Sequence, residues 1–468
     1  MIKFNGKIVL FGFGAIGKSI YELIRKEISF NEDNFFVIDK KRTPQSLDFF
    51  CQYNGGRREN YIKKFITKSN FTSIFGKYLS SGDLLIDLST ETGSENIIDW
   101  CVQNNVMYVN TADNDWPEDV WRGNFEHALV MQKKIQKYNK NQHINKHPIV
   151  LQHGNNCGLV SHFTKMALRH IVQTQFPNNA RLNKLANENK YNLLARDLGL
   201  RMVQVSDNDV QQINVKFNPK ILKNTWSPMN LFMEGVMKAE FIVGNHEVLK
   251  GIKDKISVLD TKSGYIQFKT PGVENLCTSY DPSGEFRGFI IPHEEIYSIA
   301  RHLTINNDGN KSLIYRPTVL FVYYPCDVAF KYMQRAKLEG YVKPKRSCVI
   351  YEGIVSGCEY VGVFLLGEKF DPVWAGNRLE LGFIKKKGYS GFQTPTITPV
   401  AAGALGAICW MLKNKNKKGI FYPDDIIDFD YIVGVAEKYI SKTIYATFKQ
   451  SDLKNINFNN IQLKDFIS

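Results

Sequence analysis

Three glycines near the start of the chain have the spacing of a loop that binds a pyrophosphate. They form the pattern Gly-x-Gly-x-x-Gly directly after the apolar run KIVLF. In such a loop the first glycine makes a tight turn, the second lets the backbone approach the phosphates, and the third lets a helix pack closely on the strand. The amides that begin this helix stabilise the phosphate charge. The fingerprint consists of Gly12, Gly14, Ala15, Ile16 and Gly17.

An acidic residue follows the next apolar run at the distance expected for a contact with the ribose of a dinucleotide. Asp39 comes directly after FFVI and lies 22 residues beyond Gly17. A carboxylate there accepts hydrogen bonds from the ribose hydroxyls. It would also repel a 2′-phosphate, although the three residues after it are basic. We therefore expect a dinucleotide site that prefers NAD to NADP.

The second half of the chain carries carboxylates together with a tryptophan and a histidine. An aromatic face can hold an ammonium group, and closely spaced carboxylates raise one another's pKa toward values useful for proton transfer. Taken singly, a tryptophan is more typical of a core and a carboxylate of the solvated surface, so only the combination points to a site. The candidate residues are Asp207, Asp209, Trp226, Glu234, His293 and Glu295.

The elements around the fingerprint alternate between apolar strands and helices. Strands are expected at residues 7–11, 35–38, 84–88, 106–110 and 148–152, which predicts an α/β unit with a Rossmann-type parallel sheet over residues 1–153. Ligands of such sheets lie at the carboxyl ends of the strands. The polar residues that follow three of these strands are therefore further candidates for cofactor binding: Ser89, Thr90 and Glu91, then Thr111, then Asn156 in the turn HGNNCG.

The rest of the chain predicts a second α+β domain built on a mixed sheet, over residues 154–440, and a C-terminal tail over residues 441–468. Strands are expected at 210–217, 265–269, 318–324 and 347–355, and a helix at 426–440. The apolar run over 400–412 is shorter than the roughly 20 residues of a membrane span. Its small residues indicate a helix that packs closely on another surface.

Composition narrows the class of protein further. The 468 residues are 43% hydrophobic and 23% charged, which excludes a disordered chain, and no basic run interleaved with aromatics indicates nucleic-acid binding. The eight cysteines form no Cys-x-x-Cys pair and have no histidines at zinc spacing, so no metal site is predicted. The first residues show no signal sequence. We expect a cytoplasmic enzyme that binds neither membranes nor nucleic acids.

The order of four segments resembles that of the bacterial homospermidine synthases, in the wider saccharopine-dehydrogenase-like group. These segments are GFGAIG with its later aspartate, HGNNCG, TWSPMNLFMEG and PHEEIYSI, and the similarity extends over nearly the whole chain. The resemblance implies a homodimeric transferase that joins two putrescines, or spermidine and putrescine, into sym-homospermidine. It also implies a retained NAD that oxidises an amine to an imine and reduces the new imine after amine exchange.

The resemblance also implies roles for particular residues. The cation-binding tryptophan of the family matches Trp226, and its pocket glutamate matches Glu234. The later histidine and glutamate match His293 and Glu295, and the asparagine near the nicotinamide matches Asn156. The family has a further glutamate where this chain has Asp207, whose shorter side chain retracts the charge by about one bond length.

Charge considerations agree with this resemblance but leave two questions open. A chain with a net charge of +14 does not attract a diamine as a whole, so a locally negative pocket is required. A base must deprotonate the amine before hydride transfer, and Glu295, Glu234 and His293 are all candidates.

A saccharopine or carboxynorspermidine dehydrogenase is the alternative, but its carboxylate-bearing substrates would need Arg or Lys in the pocket. A regulator that binds a dinucleotide without catalysis is a further alternative.

Overall fold

The computed structural model describes residues 1–53, 55–90, 92–117, 127–140, 145–307, 312–453 and 456–467. The chain folds into two units, and each is interrupted in sequence. The first contains residues 1–159 and 397–440, and the second contains residues 160–396 and 441–468. Within the described ranges, no helix is both long and apolar enough to cross a lipid bilayer.

A parallel sheet forms the centre of the first unit, as expected for a Rossmann-type fold. Its middle strands are buried over their full length, which explains their unbroken apolar sequences. Seven of the described strands form this sheet, in the spatial order Tyr61–Lys63, Phe35–Asp39, Ile8–Phe11, Leu84–Asp87, Met107–Asn110, Pro148–Val150 and Gly419–Phe421. The described α-helices of this unit include Ala15–Glu27, Pro44–Asp48, Phe71–Tyr78, Ser94–Asn104, His127–Lys140, Ile397–Lys413 and Phe429–Ala436.

A mixed sheet forms the centre of the second unit, which confirms the predicted fold class. Among the described strands, Leu200–Asp209 and Thr318–Tyr324 form its parallel pair, and the other pairings are antiparallel. The main path runs through Ile256–Asp260, Tyr265–Pro271, Lys238–Ile242, Thr318–Tyr324, Leu200–Asp209, Cys358–Gly367, Val373–Glu380 and Ile444–Thr447, while Gly284–Ile290 joins Thr318–Tyr324 to Leu276–Asp281. The helices include Leu159–Gln175, Ala180–Asn187, Tyr191–Leu198, Pro228–Val236, Glu295–Leu303, Asp327–Leu338 and Leu381–Lys386.

The units divide the chain differently from the expected ranges 1–153, 154–440 and 441–468. Residues 397–440 belong to the first unit because Gly419–Phe421 pairs in parallel with Pro148–Val150. The expected tail belongs to the second unit, where Ile444–Thr447 pairs with Val373–Glu380. In the range 210–217, where a longer strand was expected, only the two-residue strand Gln212–Ile213 forms, and the long strand is Leu200–Asp209.

The apolar helix Ile397–Lys413 is buried inside the first unit, as its small residues indicate. A Cβ atom on Gly403 would lie 2.0 Å from the carbonyl oxygen of Gly154, and one on Gly406 would lie 2.7 Å from that of Ile432. Glycine is therefore required at both positions for close packing. Residues 397 to 412 are buried except Val400, which agrees with the close packing that the small residues predict.

Candidate cofactor loop and acidic site

The glycine fingerprint connects the strand Ile8–Phe11 to the helix Ala15–Glu27. Gly12 has φ +92°, and a Cβ atom there would lie 2.5 Å from the carbonyl oxygen of Leu88. A Cβ atom on Gly17 would lie 2.2 Å from the carbonyl oxygen of Gly12. Both positions therefore require glycine for the packing of the protein itself.

Gly14 differs from these two glycines because the space beside it is open. Apart from Gly14 and its two chain neighbours, no described residue has an atom within 4 Å of a Cβ atom built on Gly14. This residue caps the 13-residue helix without a side-chain hydrogen bond, and no acidic side chain occupies the first turn. The amides of Ala15, Ile16 and Gly17 thus begin a helix next to a space that a phosphate fits.

Asp39 ends the strand Phe35–Asp39 and braces the glycine loop. One carboxylate oxygen accepts a hydrogen bond from the amide of Phe13 at 2.6 Å, and the other accepts one from the amide of Lys41 at 2.6 Å. Each oxygen has a further lone pair, so the carboxylate can accept ribose hydroxyls while holding the loop. The residues of this edge fit a dinucleotide.

The other predicted cofactor residues follow neighbouring strands of the same sheet. Ser89 donates its amide and its hydroxyl to Asp87, at 3.0 and 2.6 Å, and Thr90 next to it is exposed. Asn156 accepts a hydrogen bond from the amide of Cys157 at 3.1 Å, in a turn whose Gly154 lies against Thr111. Glu91 lies outside the described residues.

In the second unit, Asp207 is 5% exposed on the strand Leu200–Asp209. Its Oδ1 atom is buried and has no hydrogen-bond partner among the residues described. Burial raises the pKa of this carboxyl well above its ordinary value, and Asp209, Glu295 and Glu234 raise the pKa further, while His293 lowers it. Burying an acceptor without a donor costs free energy, so Asp207 is placed to accept a hydrogen bond from a donor that the described residues do not supply.

Glu234 brings a second such carboxylate from the helix Pro228–Val236. The residue as a whole is partly exposed, but its Oε2 atom is buried and has no hydrogen-bond partner within the described ranges. Burial raises the pKa of Glu234 to about 8; His293 lowers the pKa, and Glu294 and Glu295 raise it. Glu234 is therefore able to exchange a proton near neutral pH.

His293 is the cation of this acidic site. Its Nδ1 atom contacts the carboxylate of Glu295 and lies 3.6 Å from Glu294, and its ring stacks on Phe321 with centroids 4.6 Å apart. Burial alone would lower the pKa of His293, but Glu295, Glu294 and Glu234 raise it to about 10. The ring is therefore an imidazolium at neutral pH.

Trp226 lies two residues before the same helix and is held by a tyrosine next to Asp207. The indole Nε1–H donates to the hydroxyl of Tyr323 at 2.7 Å. Tyr323 pairs with Asp207 in the parallel register of the two central strands. The structure thus brings together, in one unit, the predicted residues Asp207, Trp226, Glu234, His293 and Glu295, and Asn156 belongs to the other unit.

Two further carboxylates lie near these residues: Asp209, which was predicted from the sequence, and Glu359, which was not. Asp209 accepts from the hydroxyl of Thr225 at 2.7 Å, and burial raises its pKa to about 6. Glu359, which the sequence analysis missed, lies opposite Asp209 in the antiparallel register and is 3% exposed. Burial raises its pKa well above the ordinary value, and Asp207 and Asp209 raise it further. Only the strand register could have revealed Glu359.

Fold and geometry define a two-unit α/β protein with a dinucleotide edge in one unit and an acidic site in the other. Family models agree, since the saccharopine dehydrogenase NADP binding domain matches residues 8–145 and the saccharopine dehydrogenase C-terminal domain matches residues 154–442. The second match covers more than half of the chain. The chain therefore belongs to the saccharopine dehydrogenase family.

The similarity to individual relatives extends over almost the full length of this chain. The chain is 26% identical to homospermidine synthase from Blastochloris viridis, over 94% of this chain and 91% of the relative, and 24% identical to that from Mesorhizobium japonicum, over 93% and 89%. It is similar in structure to a homospermidine synthase from Legionella pneumophila solved in complex with NAD. That comparison gives a TM-score of 0.86 at 26% identity and covers 100% of this chain and 98% of the other.

Proposed function

We propose that this protein is an NAD-dependent homospermidine synthase. It joins two putrescines into sym-homospermidine with release of ammonia, or transfers the aminobutyl group of spermidine to putrescine with release of 1,3-diaminopropane. The observation that carries the proposal is the pair of buried carboxylate oxygens on Asp207 and Glu234, which lack donors among the described residues. The ammonium groups of a diamine supply such donors. The full-length similarity to homospermidine synthases supports the same reaction.

Particular residues account for binding and proton transfer in this proposal. Trp226 offers an indole face to an ammonium or iminium group, a contact worth about 0.5–2 kcal/mol. Glu234 is the general base: its pKa of about 8 suits removal of a proton from the bound amine, which must be neutral before it loses hydride. His293 is already protonated at neutral pH, and Glu295 is engaged with it, so neither is the base.

NAD fits the cofactor edge better than NADP in this proposal. Gly14 leaves room for the pyrophosphate, and the carboxylate of Asp39 favours a free ribose hydroxyl over a 2′-phosphate. When bound, NAD supplies a reversible hydride acceptor. The matched family model is described as NADP binding, whereas the similar solved structure contains NAD, so binding of the two nucleotides should be compared directly.

Product analysis tests the function. The protein is incubated with putrescine and a catalytic amount of NAD, and homospermidine and ammonia are measured. We expect one ammonia for each homospermidine, many turnovers for each NAD, and no accumulation of NADH. NADH formed in proportion to the substrate consumed would instead identify a simple dehydrogenase. Parallel reactions with saccharopine and carboxynorspermidine test the carboxylate-substrate alternative.

The proposal also includes spermidine as a second aminobutyl donor and a homodimeric assembly. Spermidine with putrescine should yield homospermidine and 1,3-diaminopropane in the same assay. The resemblance to homospermidine synthases supports a homodimer, which light scattering coupled to size-exclusion chromatography measures against the 53.7 kDa of one chain.

A further inference from the structure

A carboxylate outside the acidic site is buried in the middle of the mixed sheet. Glu240 lies on the strand Lys238–Ile242 and is only 3% exposed. Its Oε1 atom accepts hydrogen bonds from the hydroxyl of Tyr265 at 2.7 Å and from the Gln267 side chain at 2.9 Å. Its Oε2 atom accepts one from the hydroxyl of Tyr297. Burying a carboxylate costs free energy unless hydrogen-bond donors satisfy it. Glu240 therefore depends on donors such as these three.

The three donors come from two different elements. Tyr265 and Gln267 belong to the neighbouring strand Tyr265–Pro271, where Gln267 pairs with Glu240 in register. Tyr297 belongs to the helix Glu295–Leu303, and its ring lies 6.3 Å from that of Tyr265. The bond from Tyr297 therefore ties a helix to the sheet, whereas the bonds from the strand act within the sheet.

The helix that Tyr297 anchors begins with a residue of the acidic site. Glu295 is its first residue and contacts His293, which lies two positions before the helix. Most of this nine-residue helix is buried by apolar side chains. Apolar contacts are non-directional, so they do not fix the position of the helix along the sheet. A charge-assisted hydrogen bond one half-turn from Glu295 supplies that constraint.

We propose that Glu240 is a positioning residue, which acts through Tyr297 to hold Glu295 against His293 in the substrate site. Its effect on turnover rests on the proposed function, but its effect on the His293–Glu295 contact does not. Misplacement of site groups by about 1 Å can cost up to 100-fold in rate, so a remote bond of this kind matters for catalysis.

The test compares two substitutions, each of which removes one of the tyrosine hydroxyls that donate a hydrogen bond to Glu240. Tyr297→Phe removes the donor on the helix, and Tyr265→Phe is the matched control that removes a donor on the strand. The readout is the titration of His293 by NMR of histidine-labelled full-length protein, with His293→Gln used only to assign the resonance. The charged groups that contribute to this titration are Glu234, Glu294, Glu295 and Asp207.

We expect Tyr297→Phe to lower the pKa of His293 from about 10 toward its ordinary value of 6.5, because Glu295 moves away. It should also reduce kcat by about tenfold or more with little change in KM. Tyr265→Phe should leave the His293 titration unchanged. An unchanged titration in Tyr297→Phe, or equal shifts in both variants, would overturn the proposal.

A third variant and the choice of readout keep this test independent of folding and of the reaction. Glu240→Gln retains the shape of the side chain and should lower the His293 pKa in the same direction as Tyr297→Phe. If Tyr297→Phe does not fold, this variant decides the question by the same criterion. A shifted titration in a protein that makes no homospermidine would uphold the positioning role and reject the proposed function.

Discussion

At the scale of single residues, burial and neighbouring charges set the protonation of each group in the acidic site. Asp207 and Glu234 have raised pKa values chiefly because they are buried, and His293 has a raised pKa because carboxylates surround it. The site therefore stores protons in the unliganded protein. The diammonium ligand of the proposed reaction would replace some of these protons as counter-charge.

The indole of Trp226 offers the sharpest test at this scale. Trp226→Ala removes the aromatic face, so we expect kcat/KM for putrescine to fall by about tenfold or more. Trp226→Phe keeps a smaller aromatic face and loses the hydrogen bond to Tyr323, so it should retain part of the activity. Steady-state kinetics and thermal melts of both variants check this expectation. Equal losses of activity in the two variants would contradict the cation–π role.

At the scale of elements, two glycines of the cofactor loop are required for different reasons. Gly17 is needed for the packing of the fold, and Gly14 leaves space for the cofactor. A Cβ atom at Gly17 would lie 2.2 Å from the carbonyl oxygen of Gly12, but at Gly14 it would meet no described protein atom within 4 Å. We therefore expect Gly17→Ala to lower the melting temperature and weaken NAD binding. Gly14→Ala should weaken NAD binding about tenfold or more with little change in melting temperature.

Calorimetric titration with NAD and thermal melts of both glycine variants provide the measurement. Since φ at Gly14 is −77°, alanine there adds no backbone strain of the left-handed kind. A Gly14→Ala protein that binds NAD as tightly as the parent would show that the open space is not the pyrophosphate site.

Elements with a local signal could be predicted from the sequence, and those that depend on long-range pairing could not. The strand, glycines, helix and Asp39 lie within 40 residues, so apolar runs and spacing were enough to place them. The strand Leu200–Asp209 was missed because its second half is polar, and buried polar residues break the apolar pattern on which strand prediction depends. Glu359 and the strand Gly419–Phe421 reach their positions through partners far away in sequence.

At the scale of the whole molecule, the local charge of the site opposes the overall charge of the chain. The chain carries a net charge of +14, yet its acidic site gathers Asp207, Asp209, Glu234 and Glu359 in one unit. The proposed diamine substrate would therefore be held by short-range contacts within the site rather than by attraction to the protein as a whole. The same carboxylates repel one another when ionised, so their ionisation lowers the folding stability.

Stability should therefore fall as pH rises. The pKa of Glu234 is about 8 in the folded protein against an ordinary 4.5, and that of His293 is about 10 against 6.5, so the folded state binds both protons more tightly than the unfolded chain. The stability from Glu234 is fully present below pH 4.5 and is lost by about pH 8, and that from His293 is lost between 6.5 and 10. Both losses overlap from pH 6.5 to 8. We expect the melting temperature of the unliganded protein to decrease across this interval.

Calorimetric melts at several pH values between 6.5 and 8 measure this decrease, and Glu234→Gln is the control variant. Glutamine has the shape of the protonated acid and does not titrate, so its melting temperature should decrease less steeply than that of the parent. Saturating putrescine should oppose the decrease in the parent, because ionised carboxylates bind ammonium groups more strongly. Parallel curves for the parent and Glu234→Gln would mean that Glu234 is ionised throughout this interval, and the proposed base would have to be sought elsewhere among the buried carboxylates.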